Sequence, residues 1–155
     1  MASHEITADT IIDATAARVF EIVSDPRRVQ DWMPNVHDVK PLGAKKGVGA
    51  ERSIHLRIGN MAILSHQKVT EHEPGKRFAW VHTQDTIDGK PFDFLEDLGT
   101  SFGLASKGKS THVTATMHFT PKGLKAKIAM PLVTKDVKKQ MHTALANLKR
   151  LAEQP

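Results

Sequence analysis

Val133, Val137, Met141, Ala144, Leu145, Leu148 and Leu151 recur at steps of three and four, the spacing of one apolar stripe along an α-helix. The stripe predicts a single long helix from Pro131 to Glu153. Pro131 suits its first turn, where the missing N–H would have had no partner anyway. At 1.5 Å per residue such a helix spans on the order of 30 Å, the width of a small domain. Nearly everything before it patterns as strand, so the helix's apolar stripe must be covered by a sheet.

Ile6, Ala8, Thr10 and Ile12 alternate with polar neighbours in a half-buried first strand. From Ala14 the period changes: Ala16, Val19, Phe20 and Val23 fit a short helix that Thr15 can cap. Ser24-Asp25-Pro26 breaks it, and Pro26 can start a second short helix ending at Trp32. Six strands are then expected, over 36–42, 47–58, 61–73, 77–84, 98–105 and 111–120. On the second, Ile54, Leu56 and Ile58 share a face; on the fourth, Phe78, Trp80 and His82 do. The last alternates most regularly, with Thr111, Val113, Ala115, Met117 and Phe119 inward. The stretch 85–97, with Asp88-Gly89-Lys90-Pro91 and Phe92, Phe94 and Leu95, reads as a long loop that can act as a lid.

This order implies an α+β fold of one domain over residues 1–155: a seven-stranded, curved antiparallel sheet around the terminal helix, with the two short helices plugging one end. A sheet that wide offers more apolar surface than one helix fills. Small or flexible inward residues such as Ala8, Ala115 and Met117 therefore leave room for a cavity, the usual setting for a medium-sized ligand.

Composition narrows the chemistry. No cysteine is present, which excludes disulfides, thiolate nucleophiles and Cys-ligated zinc. No segment has the length and apolarity of a transmembrane helix, and the first residues lack the pattern of a secretory signal, so a cytoplasmic location is expected. The net charge of +5 is uneven: 122–150 carries eight Lys or Arg and one acid, Asp136. That is a solvated helix face, or a docking surface for something anionic such as a membrane surface or an acidic carrier protein. With two Trp, six Phe and no Tyr there is no basic-aromatic array for stacking bases, so nucleic acid is not an expected partner.

The run Ile12-Asp13-Ala14-Thr15-Ala16-Ala17-Arg18-Val19-Phe20-Glu21-Ile22-Val23-Ser24-Asp25-Pro26, followed by Trp32-Met33-Pro34, resembles the N-terminal signature of the SRPBCC superfamily. These are the START-like or birch-pollen-allergen-like proteins, and the pattern is most similar to the polyketide cyclase/dehydrase branch. Residues 69–80 resemble its central hairpin, 109–114 its turn into the last strand, and Ala144-Leu145-Ala146-Asn147-Leu148-Lys149 its closing helix. The resemblance implies a helix-grip fold with an apolar cavity between helix and sheet. It does not choose between carriers, cyclases and interaction modules.

Nine histidines are present, but the spacings His-x-His, His-x-x-x-His and His-Glu-x-x-His are not; no metal site and no cofactor motif is expected. His112 and His118 share a strand face about 20 Å apart. His4, His37 and His72 fall in turn or terminal regions. His66, His82 and His142 are the histidines expected near the interior, and His82 is the candidate general acid or base because it shares a face with Phe78 and Trp80. Gly43-Ala44-Lys45-Lys46-Gly47-Val48-Gly49 is a hairpin turn rather than a phosphate loop, since no Ser or Thr follows a Gly-Lys pair. Aromatase/cyclases of the family are expected to orient their chain with polar pocket residues, commonly Tyr and Arg. Tyr is absent here; Arg52 or Arg57 can supply a cation, although both are expected to point to solvent. Trp32, Trp80, His82, Phe92, Phe94, Phe102, Met117, Phe119, Met141 and Leu145 are the expected pocket residues. The function expected first is binding of a hydrophobic small molecule. A polyketide cyclase or dehydratase acting on a carrier-bound chain comes second, and an interaction or stress-related module with an incidental cavity third. A monomer or homodimer fits all three.

Overall fold

Along the first strand, β1 (His4–Ile12), Ile6, Ala8 and Ile12 are buried while Glu5, Thr7, Asp9 and Ile11 are exposed, so a period of two governs the strand from its start. The computed structural model describes residues 3–155. Helix α1 (Ala16–Ser24) begins where Thr15 Oγ1 accepts the Arg18 N–H at 3.2 Å, and it buries Val19, Phe20, Ile22 and Val23. A 3-10 turn over Pro26–Arg28 leads into α2 (Val29–Trp32), which buries Val29 and Trp32.

Six further long strands follow: β2 (Val36–Leu42), β3 (Glu51–Ile58), β4 (Met61–Glu73), β5 (Arg77–Ile87), β7 (Leu95–Lys107) and β8 (Ser110–Pro121), with a two-residue β6 (Lys90–Pro91) on β5. All pairings are antiparallel, in the order β1-β8-β7-β5-β4-β3-β2. The register shifts at four places: between β2 and β3 at Val36/Asp38, twice between β4 and β5, and between β7 and β8 at Glu96/Gly99. Each bulge bends and twists the strand that carries it. Together they curve the sheet around the last helix, α3 (Leu124–Glu153).

The C-terminal half of α3 is anchored. Leu145, Leu148 and Ala152 pack with Ala8, Ile12, Val113 and Ala115 in the main core. Asn147 donates to the Trp32 carbonyl at 3.1 Å, and Lys149 Nζ to the Ile11 carbonyl at 2.8 Å. A second apolar cluster, Ile6, Leu98, Phe119 and Met130, closes the other end of the helix.

Three expectations are corrected. The helix starts at Leu124, so Pro131 lies inside it; burial of Ala126 and Met130 in its first turns outweighs the hydrogen bond that proline forfeits. The stretch 85–97 is not one long loop. β5 runs on to Ile87, Asp88-Gly89 turns the chain with positive φ at both residues, and β6 and β7 take up most of the rest. Residues 47–50 are a turn with positive φ at Gly47 and Gly49, and the strand begins at Glu51.

Candidate functional site: two cavities divided by Arg52, Gln67 and Trp80

The concave face of the sheet and α3 enclose a first cavity of about 280 Å³. Its walls are apolar: Ile54 and Leu56 from β3, Trp80 from β5, Phe102 from β7, Ala115 and Met117 from β8, Trp32 from α2, and Met141, Ala144 and Leu145 from α3. The indole N–H groups of Trp32 and Trp80 are buried and have no acceptor among the described residues. Trp80 stacks on Phe102 with ring centres 5.8 Å apart, and Trp32 meets Phe102 edge-on at 5.5 Å.

One end of this wall is polar. His82 lines the cavity, with its Nδ1 3.0 and 3.1 Å from the two oxygens of Asp85 and 2.9 Å from Ser65 Oγ. The carboxylate can only accept, so Nδ1 donates to it, and Nε2 is the nitrogen free of that contact. Gln67 Nε2 lies 3.5 Å from that Nε2 and donates to Ser65 Oγ at 3.3 Å. Burial pushes the Asp85 carboxyl up, but the His82 hydrogen bond and charge, with Ser65 and His66, outweigh it and leave the group below its ordinary value. The side chains of His82 and Asp85 are only 15 and 14 % exposed. An imidazole oriented by a carboxylate beside an apolar space is an arrangement suited to proton transfer.

A second cavity of about 680 Å³ lies toward α1 and the β2–β3 turn, lined by Asp25, Arg27, Lys45, Lys46, Ala50, Arg52, Val69 and Phe78 among others. Arg52 stands between the two. Its Nε donates to Gln67 Oε1 at 3.1 Å, and its guanidinium carbon lies 4.7 Å from the Trp80 ring centre and 5.9 Å from that of Phe78. It is 4 % exposed, where solvent exposure was expected. Arg57 is exposed, as expected. A signal for Arg52 was present in the sequence: it stands two residues before Ile54 and therefore on the same face of the strand.

Of the ten expected pocket residues, seven line the first cavity: Trp32, Trp80, His82, Phe102, Met117, Met141 and Leu145. Three do not. Phe119 is fully buried in the second cluster and stacks on His4 at 5.8 Å. Phe92 and Phe94 pair with each other at 6.1 Å, and Phe94 packs against that same cluster. His142 is exposed, and His66 sits on the opposite face from Ser65 and Gln67. His72, expected in a turn, packs edge-on against Phe20 and Phe78 beside the second cavity. Asp85, Ser65 and Gln67 are the site residues that the sequence did not single out; Arg52 was named there as a cation but expected at the surface.

A helix gripped by a curved antiparallel sheet over an apolar cavity defines the class of START-like helix-grip proteins. The family model for polyketide cyclase/dehydrase and lipid transport matches residues 3–153, and the chain belongs to that family. No curated protein matches it. Among solved structures it is similar to the Zhui aromatase/cyclase from Streptomyces sp. R1128, with TM-score 0.80, 14 % identity and coverage of 98 % of this chain and 94 % of that one. It is also similar to a START superfamily protein from Mycobacterium smegmatis, with TM-score 0.76, 16 % identity and 97 % of each chain covered. A third is Ara h 8.0201, at TM-score 0.72 and 13 % identity, with 97 % of this chain and 98 % of that one covered. At these identities the likeness is one of fold. No helix among the described residues is long and apolar enough to cross a membrane.

Proposed function

We propose that the protein binds a medium-sized apolar molecule, of lipid or polyketide type, in the first cavity. The observation that carries this reading is a cavity of about 280 Å³ between the sheet and α3, walled mainly by apolar and aromatic side chains. Affinity comes mainly from apolar burial, at roughly 25 cal/mol per Å² before the costs of ordering. Native mass spectrometry of freshly purified protein, with a titrated panel of lipids and aromatic polyketides, tests it. Absence of any bound species across both measurements rejects the reading.

The His82–Asp85 pair favours a second reading, a cyclase acting on a poly-β-keto chain. His82 Nε2 removes a proton from a methylene between two carbonyls. The enolate carbon attacks another carbonyl carbon of the same chain, forming one C–C bond, and the imidazolium returns the proton to the new alkoxide. In this reading α3 docks an acidic carrier. Leu124, Ile128 and Leu132 are more than 70 % exposed on that helix, among Lys122, Lys125, Lys127 and Lys135, which gives the face both contact area and charge. Turnover of a carrier-bound chain by wild type, and its loss in His82→Gln, is the outcome expected; equal turnover in the two removes His82 from the reaction.

A further inference from the structure

We propose that the second cavity is a binding site for an organic anion, an oxyanion head on a short apolar tail, with Arg52 as its buried cation. The site lies outside the first cavity and goes beyond the guest proposed there.

Arg52 is a buried cation with no counter-ion among the described residues. No carboxylate among the described residues lies within ion-pair distance of it: the acids of the second cavity are Asp25, held by Arg27 at 3.1 Å, and the exposed Glu51. Its one protein hydrogen bond goes from Nε to Gln67, and Nη2 is buried without an acceptor. The face of Trp80 offsets part of the lost hydration. A buried charge without a counter-ion is nonetheless unfavourable, and proteins that keep one usually set it against a partner. Burial lowers the guanidinium pKa to about 10, so the group stays charged at neutral pH.

The cavity suits an amphiphilic anion. Val69, Phe78 and Ala50 offer apolar wall, while Lys45 and Lys46 on the β2–β3 turn add positive charge at the rim. Gly49 makes room for one of them: a Cβ there would meet Lys45 Nζ at 2.8 Å. His72 adds an imidazole edge to the lining. A carboxylate or phosphate is the head that matches a guanidinium, through charge-assisted and often bidentate hydrogen bonds. Its tail then lies on Val69 and Phe78.

Calorimetric titration of octanoate, octyl phosphate and neutral octanamide tests the site in wild type, Arg52→Met, Arg52→Lys and Ala144→Phe. Wild type is expected to bind at least one of the anions tenfold or more tightly than the amide; whichever anion binds better identifies the head as carboxylate or phosphate. Arg52→Met is expected to abolish that preference and Arg52→Lys to keep part of it. Ala144→Phe, which fills the first cavity, is expected to leave it intact. Equal affinity of wild type for all three ligands overturns the proposal without recourse to any variant. So does a preference that survives Arg52→Met or disappears in Ala144→Phe. A failure of neutral apolar ligands to occupy the first cavity rejects that reading and leaves this one standing.

Discussion

His82 and Asp85 lie three residues apart on β5, yet their side chains meet on the same face of the sheet, with Nδ1 and Oδ1 3.0 Å apart. On a regular strand an odd separation sends two side chains to opposite faces. The pairing explains the exception. His66 faces Gln84 while Gln67 faces His82, so Thr83 is an extra residue opposite none on β4. That bulge turns Asp85 inward, where it also pairs in register with Ser65. Re-aiming a side chain in this way is a common use of bulges beside functional sites.

Asp85 gives a pH dependence of definite sign. Its folded carboxyl lies below the ordinary value of 3.8, so its ionised form favours folding above about pH 4. That contribution fades as the pH falls through the lower folded-state value. Thermal melts of wild type and Asp85→Asn are expected to differ by a steady margin down to about pH 4 and to converge below it. A margin that widens in acid contradicts this.

Filling the first cavity separates guest binding from stability. Ala144 is half-buried on the cavity wall, and Ala144→Phe occupies space a guest needs. Affinity for an apolar ligand is expected to fall by tenfold or more while Tm stays within a few degrees of wild type. Undiminished affinity in the same titration places the guest elsewhere.

Pro131 is a defect within α3. It is exposed, lacks the N–H that would reach the Lys127 carbonyl, and sits inside the helix. Pro131→Ala is expected to stabilise the protein by about 1–3 kcal/mol, measured by urea denaturation. A loss of stability means that the proline sets a bend which the packing of Met130 and Val133 requires.

Leu148 is fully buried where α3 meets the core of the sheet. Leu148→Ala is expected to cost about 2–5 kcal/mol, the range for a buried leucine that leaves a cavity. For a domain of this length that lowers Tm by roughly 5–15 °C. A shift of a degree or two means that the helix end is not gripped as described.

Thr15 caps α1, Pro26 opens the turn after it, and the stripe from Val133 to Leu151 faces the core; all of this was legible in the residues themselves. Capping, turn geometry and the periods of helix and strand act over a few neighbours, so a linear reading captures them. Alternation also marked the inward face of β5, and with it Trp80 and His82. What only the tertiary structure decided depends on residues far apart in sequence. The bulge at Thr83 exists because β5 pairs with β4 in one register, and no local pattern announces it. Arg52 shares a face with Ile54, yet its depth follows from how tightly the sheet curls, and charge alone pointed it outward. Phe94 and Phe119 are as apolar as the cavity's walls, but they join the cluster at the far end of α3, and Phe92 pairs with Phe94 outside the cavity. Apolar burial is non-directional: composition can require that such side chains go inside, and only the packed chain determines which of them face the empty space.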